Sequence, residues 1–360
     1  MDDVTWSVKQ LKTYQDRINR ELERFLARKR KEIQKEAPET LNVYDALARY
    51  ILRGGKRIRP ALVYYSYKLC GGEGIDKEVV QISMASDLNH SYLLIHDDIM
   101  DNGLVRRGKP SLHVELAGIY RKQRRTDADH LGVAQAILMG DFAAAFAIEA
   151  ISSTSVSKEL GHKVLEAHTR MLEETEIGQG LDIHFSSRRR ATEEDVRRIM
   201  EYKTARYTVL SPLRTGAILA GASNAQFNAL EQFALRVGTV FQIADDLLGM
   251  FGTEKEIGKS NLSDLREGKH TLLTVRAYRG ASANDKRYLD SVLGNPEASR
   301  KDLSRVRAIM KETGAYEETL EEARALTQEA LTVLGKAKFP GEEAERFFRG
   351  MGEYVLSRTH

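Results

Sequence analysis

Cysteine is almost missing from this chain: Cys70 is the only one in 360 residues. No intrachain disulfide can form, and a reducing compartment is compatible with that. Proline is scarce too, at Pro38, Pro60, Pro110, Pro212, Pro296 and Pro340. Proline breaks helix interiors, so the long intervals between these six leave room for long helices. Neither sign of charge dominates, with 55 Lys and Arg against 52 Asp and Glu and a net charge of +3. A general nucleic-acid binder needs a concentrated basic footprint, and none is present. The short run Arg121-Lys122-Gln123-Arg124-Arg125 is read as a solvated loop. The N-terminal segment is charged and holds no apolar stretch resembling a signal peptide or a bilayer span. The expectation is a soluble cytoplasmic protein with no stable membrane insertion. Period-2 alternation between hairpin turns is absent, as are internal repeats and low-complexity tracts.

What remains is helical. Hydrophobic residues make up 42% and charged residues 30%, which suits a soluble fold with a sizeable core. Leu11, Ile18, Leu22, Phe25, Leu26 and Ile33 form an amphipathic pattern over 5–35. Further helices are expected over 40–53, from Pro60 onward, and over 77–101, 132–152, 157–185, 193–222 and 226–251. The stretches 103–130 and 252–270 read as irregular. Residues 271–357 alternate helices with breaks near Gly280, Gly294, Gly314 and Pro340. The fold class is all-α: one large helical domain over 1–360.

The run His96-Asp97-Asp98-Ile99-Met100-Asp101 carries the most chemistry. On a helix, spacings of three and four put these carboxylates on one face. Like charges there repel unless a cation lies between them, and the apolar flanks make unpaired carboxylates costly. Oxygen ligands with room for water suit magnesium bound together with substrate phosphates. An acidic helix end facing water is the plain alternative. Arg106-Arg107-Gly108 follows, and paired guanidinium groups can neutralise carboxylates or grip phosphate. Phe241-Gln242-Ile243-Ala244-Asp245-Asp246-Leu247-Leu248-Gly249 repeats the theme, with Lys259 and Lys269 behind it. Two such motifs on separate helices can face each other across a bundle interior. Gly54-Gly55-Lys56-Arg57-Ile58-Arg59-Pro60 sets three cations between glycines and a proline before a helix start, which suits an anion, although taken alone it reads equally as a basic loop between helices.

In this order the motifs resemble those of the trans-prenyl diphosphate synthase family, and geranylgeranyl diphosphate synthases in particular. The family pattern also has a Gln-x-x-Asp, here Gln179 to Asp182, and a Lys-Thr, here Lys203-Thr204. The resemblance implies a helical bundle of the isoprenoid synthase type with a central active-site cavity, and a homodimer. It implies that isopentenyl diphosphate is condensed with an allylic diphosphate. Lys56, Arg59, His90 and Arg107 would bind the former; Arg106, Lys203, Lys259 and Lys269 the latter. Asp97 and Asp101 would hold two magnesium ions and Asp245 a third. Asp98, Asp246 and Asp264 would lie in or just behind that shell. Gln179, Asp182, Thr204 and Gln242 would line the reacting centre. Gly249 departs from the pattern, which commonly has a third aspartate there, so Gly249→Asp is expected to be tolerated. Tyr92, beside the smaller Leu93, is the expected floor for the growing chain. That combination goes with a twenty-carbon product, with farnesyl diphosphate as runner-up. A terpene cyclase shares a first acidic motif but has no use for the Gly54–Pro60 loop or Arg107. A non-catalytic partner subunit tends to have an eroded first motif, and here it is intact.

Overall fold

A computed structural model of the protein describes residues 1–186, 188, 190–254 and 260–357. Helix α1 (Asp3–Glu36) starts where the Asp2 carboxylate accepts from the Thr5 amide at 2.8 Å. It buries Leu11, Ile18, Leu22, Phe25 and Leu26, the stripe expected from their spacing. A 3₁₀ turn at Pro38–Thr40 leads into α2 (Leu41–Leu52). Helix α3 (Ile58–Leu69) begins two residues before Pro60. The first-turn amides of a helix have no intrahelical acceptor, so proline at its third position costs no ladder bond. Helix α4 (Asp76–Met100) carries the first acidic motif at its C-terminal end.

The segment 103–130 is more ordered than its composition suggested. Strands β1 (Val105–Arg106) and β2 (Lys109–Pro110) pair antiparallel around Arg107 and Gly108. Helix α5 (Leu112–Lys122) follows. Two-residue strands are too short to show alternation, and the basic residues after α5 mask its stripe of Leu112, Leu116 and Ala117. The arginine cluster is solvated, with Arg125 bound to Asp127 at 2.8 Å and Arg121 paired with Asp129. Helix α6 (Ala128–Ser152) then crosses α4 and α5. It leaves Ile137, Leu138, Phe142 and Ile148 exposed. Among the described residues, α6 is the one helix long and apolar enough to cross a membrane by length and composition.

Helix α7 (Lys158–Ser186) is as expected, but 193–222 is not one regular helix. Thr192 and Asp195 form a capping box for α8 (Glu193–Ile199). A π-helix over Met200–Leu210 follows, then α9 (Ser211–Ala220). Helix α10 (Asn224–Phe251) carries the second acidic motif. The supposed loop after it contains α11 (Ser263–Glu267). The rest is α12 (Leu272–Gly280), α13 (Ala283–Val292), α14 (Arg300–Glu312), α15 (Ala315–Lys336) and α16 (Glu342–Ser357).

One hydrophobic cluster runs from Leu11 to Val355. The π-helix is clamped between α7 and α10. A Cβ on Gly178 would lie 2.3 Å from the Lys203 amide nitrogen, and one on Gly238 would lie 2.5 Å from Ala205 Cα. Backbone meets backbone at both glycines. This close packing brings Lys203 and Thr204 between the helices that bear the acidic motifs.

Candidate active site

Asp98, the middle carboxylate of the first motif, is 1% exposed. Its Oδ1 accepts from Arg106 Nε at 2.8 Å and Nη2 at 2.5 Å, and its Oδ2 accepts from the Tyr50 hydroxyl at 3.2 Å. Asp98 is therefore an anchor that fixes the end of α4 and the β1–β2 turn. Asp97 is held more loosely, 3.3 Å from Arg106 Nη2 and 3.5 Å from Lys203 Nζ. Asp101 stands at the rim, open to water on one side. The cleft walls, and the charge of Asp97, push its carboxyl up to about 6.

The second motif has a different partner set. Asp246 is 5% exposed and accepts from Gln242 Nε2 at 2.7 Å and Lys269 Nζ at 3.4 Å. Gln242 Oε1 in turn accepts from the Thr204 hydroxyl at 2.6 Å. Burial raises Asp246 to about 6 although Lys269 opposes it. Asp245 is half-buried beside it. At Gly249 a Cβ would lie 2.1 Å from Asp264 Oδ2. The carboxylate of Asp264, delivered from α11, occupies the space of the missing side chain. An aspartate at Gly249 would have to displace the Asp264 carboxylate and set a second negative charge beside it, which argues against the expectation that Gly249→Asp is tolerated.

Lysines link the two motifs. Lys203 Nζ donates to Asp182 at 2.5 Å while facing Asp97. Burial pulls its pKa down, but Asp182 and Asp97 hold it above the usual lysine value. Lys269 behaves alike: burial is outweighed by Asp246, Asp264, Asp182 and Asp245. Asp182 thus sits between the two clusters. Among the described residues Gln179 reaches only Met100 Sδ, at 3.9 Å. Lys259 lies outside the described residues.

On the other side of the cleft lies a crowd of cations. Arg107 donates to the Gly54 carbonyl, joining the β1–β2 turn to the glycine loop. Arg57 and Arg107 have φ of 50° and 55°, strained for non-glycine residues and frequent where a site is held in shape. Of the three cations in this loop, Arg57 is turned inward and is taken up by groups of the protein itself. It is 4% exposed, pairs with Asp87, and donates to Asn19 and to the Ile51 carbonyl, both at 3.0 Å. Lys56 is exposed, with Nζ donating to the Tyr354 hydroxyl at 2.6 Å. Arg59 donates to Thr208 Oγ1 at 2.8 Å and lies 4.3 Å from the Tyr207 ring centroid. Its Nε is buried with no partner among the described residues. His90 Nδ1 shares a hydrogen bond with the Tyr207 hydroxyl. Burial, then Arg59 and Arg107, push His90 well below its usual value. Burial also lowers Arg107, with Arg57 and Arg106 adding to it. Cations that depress one another are poised for an anion to relieve them.

Sequence reasoning missed Tyr50, Asp87, Tyr207 and the π-helix. Tyr207 lies four residues after Lys203, one turn along the same segment, which is the one available signal. Tyr92 is half-buried on α4. Its hydroxyl donates to Glu176 on α7 at 2.8 Å and its ring stands edge-on to His96. Below Arg59 and Tyr207 a small cavity of about 30 Å³ lies between α3, α4, α6, α7 and α9.

Among the described residues no three His, Cys, Asp or Glu side chains converge into a ready metal cage. Magnesium does not require one, because waters and substrate phosphates complete its shell. The raised carboxyls of Asp101 and Asp246 are the response of acidic groups to crowding and burial that a divalent cation would relieve. The donor set fits the ion.

The chain is similar to known prenyl diphosphate synthases. A geranylgeranyl diphosphate synthase of Saccharolobus solfataricus is 32% identical over 85% of this chain and 87% of its own. A short chain isoprenyl diphosphate synthase of Methanocaldococcus jannaschii is 35% identical over 76% of this chain and 78% of its own. The crystal structure of a geranylgeranyl pyrophosphate synthase from Corynebacterium glutamicum, complexed with isoprenyl diphosphate and magnesium, superposes with a TM-score of 0.92. It is 29% identical, covering 97% of this chain and 99% of that one. Residues 41–310 match the polyprenyl synthetase profile, and the chain belongs to that family.

Proposed function

We propose that this chain is a trans-prenyl diphosphate synthase, acting as one catalytic domain, that joins isopentenyl diphosphate to an allylic diphosphate and makes mainly geranylgeranyl diphosphate. The observation that carries the reading is the pairing of two acidic motifs, bridged by Lys203, Asp182 and Lys269, with a separate cationic pocket across the cleft. A cyclase or a hydrolase has no need of the second anion site.

Magnesium bound by Asp97, Asp101 and Asp245 would neutralise charge growing on the departing diphosphate. Arg106, Lys203, Lys269 and, outside the described residues, Lys259 would hold the allylic diphosphate. Lys56, Arg59, His90 and Arg107 would hold isopentenyl diphosphate with its double bond towards the allylic carbon. The Thr204 hydroxyl and Gln242 carbonyl, together with carbonyls that the π-helix loosens from regular α pairing, face the site where the cation develops. The departing diphosphate then takes the proton, so no side-chain base is needed. The ring of Tyr92, beside the smaller Leu93, would be the floor that stops the growing chain. The exposed strip Ile137, Leu138, Phe142 and Ile148 on α6 is covered by a second copy of the chain, giving a homodimer.

The test is incubation of the purified protein with magnesium, labelled isopentenyl diphosphate and five- to fifteen-carbon allylic primers. Label is expected in an allylic twenty-carbon product. No incorporation with any primer would overturn the reading.

A further inference from the structure

Three elements meet at Tyr207. The residue belongs to the π-helix and is 8% exposed. Its ring centroid lies 4.3 Å from the guanidinium carbon of Arg59, on α3. It lies 6.0 Å from the ring of His90, on α4, with the two planes tilted by 41°. Its hydroxyl shares a hydrogen bond with His90 Nδ1. Arg59 and His90 both belong to the cationic pocket, whereas Tyr207 carries no charge to offer an anion.

The direction of that hydrogen bond follows from what else the two groups can do. A phenol has one hydrogen to give. Burial keeps it in place by pushing the Tyr207 hydroxyl well above its ordinary range. The hydroxyl has no second hydrogen-bond partner among the described residues. If Nδ1 carried the ring proton, the phenol hydrogen would be buried with nothing to accept it, which is costly. The hydroxyl therefore donates and Nδ1 accepts. Burial, Arg59 and Arg107 also disfavour a second proton on the imidazole. A neutral imidazole has a single N–H, so the hydrogen sits on Nε2. That nitrogen has no partner among the described residues, yet it is not sealed off, since His90 is half-buried. Arg59, Arg106 and Arg107 surround it with positive charge. The other tautomer would set a bare lone pair against the oxygens of an incoming anion.

We infer that Tyr207 is a positioning residue for the isopentenyl diphosphate site: its hydroxyl locks His90 in the Nε2–H tautomer, so that the imidazole offers a hydrogen to the diphosphate. Tyr207 acts through His90 and not on the substrate. The inference deepens the prenyltransferase reading and rests on it.

Tyr207→Phe removes the hydroxyl and keeps an aromatic face for Arg59. Its KM for isopentenyl diphosphate is expected to rise about tenfold, as for the loss of one charge-assisted hydrogen bond. KM for the allylic substrate and the thermal midpoint should not move. His90→Gln offers an amide N–H that depends on no ring proton. In that background Tyr207→Phe should add nothing further, as expected of two residues acting through one contact. Nitrogen NMR of the labelled protein, with the His90 ring assigned through its backbone, reads the tautomer directly. With and without isopentenyl diphosphate, the unaltered protein should show a protonated Nε2 and a bare Nδ1, and Tyr207→Phe should bring in the other form. A proton on Nδ1, or on both nitrogens, in the unaltered protein overturns the inference. So does an unchanged KM in Tyr207→Phe, or an equal rise in both KM values; each leaves the prenyltransferase reading standing. Should Tyr207→Phe not fold, the spectrum of the unaltered protein decides. No incorporation of label by the unaltered protein defeats that reading, and the inference with it.

Discussion

The two acidic motifs look like copies in sequence and are wired in opposite ways. In the first, the anchored carboxylate is Asp98, and its partners are an arginine and a tyrosine, Arg106 and Tyr50. Asp97 and Asp101 are left facing the cleft. In the second, the anchored carboxylate is Asp246, and its partners are an amide and a lysine, Gln242 and Lys269. Its third position is empty, and Asp264 from another helix fills that space. Each motif thus uses one aspartate to fix the backbone and presents others to the cleft. Equal letters do not carry equal duties, and the neighbours decide which residue does which.

The sharpest way to break this comparison is to remove a presented and an anchoring carboxylate in turn. Asp97→Ala should lower turnover by at least ~100–1000-fold while leaving thermal unfolding near that of the unaltered protein; comparable turnover would mean that the first motif presents nothing. Asp98→Ala should instead act on the fold. Stripping one partner from a buried pair costs about 3–5 kcal/mol, and denaturant titration should show it; a stability equal to that of Asp97→Ala would erase the distinction. Gly249→Asp tests the other motif. Overpacking against Asp264 should cost about 1–3 kcal/mol and reduce turnover. Gly249→Asp combined with Asp264→Gly should recover most of both; failure of that recovery would show that Asp264 is no stand-in. Across the cleft, Lys56→Ala should raise KM for isopentenyl diphosphate about tenfold, the loss of one charge-assisted hydrogen bond, with KM for the allylic substrate unmoved. The smallest effect is one of pH. Burial holds His168 near 4, below the ordinary ~6.5 of an unfolded chain. Below 6.5 the unfolded chain binds a proton that the fold refuses, so this group lowers stability as pH falls from 6.5 towards 4. His168→Leu should flatten that part of the stability profile, and an identical slope would contradict a buried neutral imidazole.

Much of this was legible from residue spacing. The helices carrying both motifs, the cationic glycine loop and the loci of Asp97 and Asp101 follow from helical periodicity and charge grouping, whereas Lys203 and Gln242 came from the resemblance to the family. The rest was not, for three physical reasons. Arg57 and Arg59 are chemically identical, and only the proximity of Asp87, thirty residues on, makes the first structural. The β1–β2 turn is too short to show a period. A π-helix has no residue signature, and the close approach of Gly178 and Gly238 to it exists only once the helices are packed together. The chamber under Arg59 escaped notice for a similar reason: its wall is assembled from separate helices.

The wide stretch Met200–Leu210 bears on how this chain can change its length. Towards its neighbours it behaves as an ordinary helix carrying a surplus residue. Deleting any one of those residues would let the ladder close into regular α pairing. Because the surplus residue is absorbed within the segment, its loss would leave the helix downstream facing nearly as before. What would change is local: Lys203 and Thr204 would lose the widened backbone around them, and Tyr207 and Thr208 would shift against His90 and Arg59.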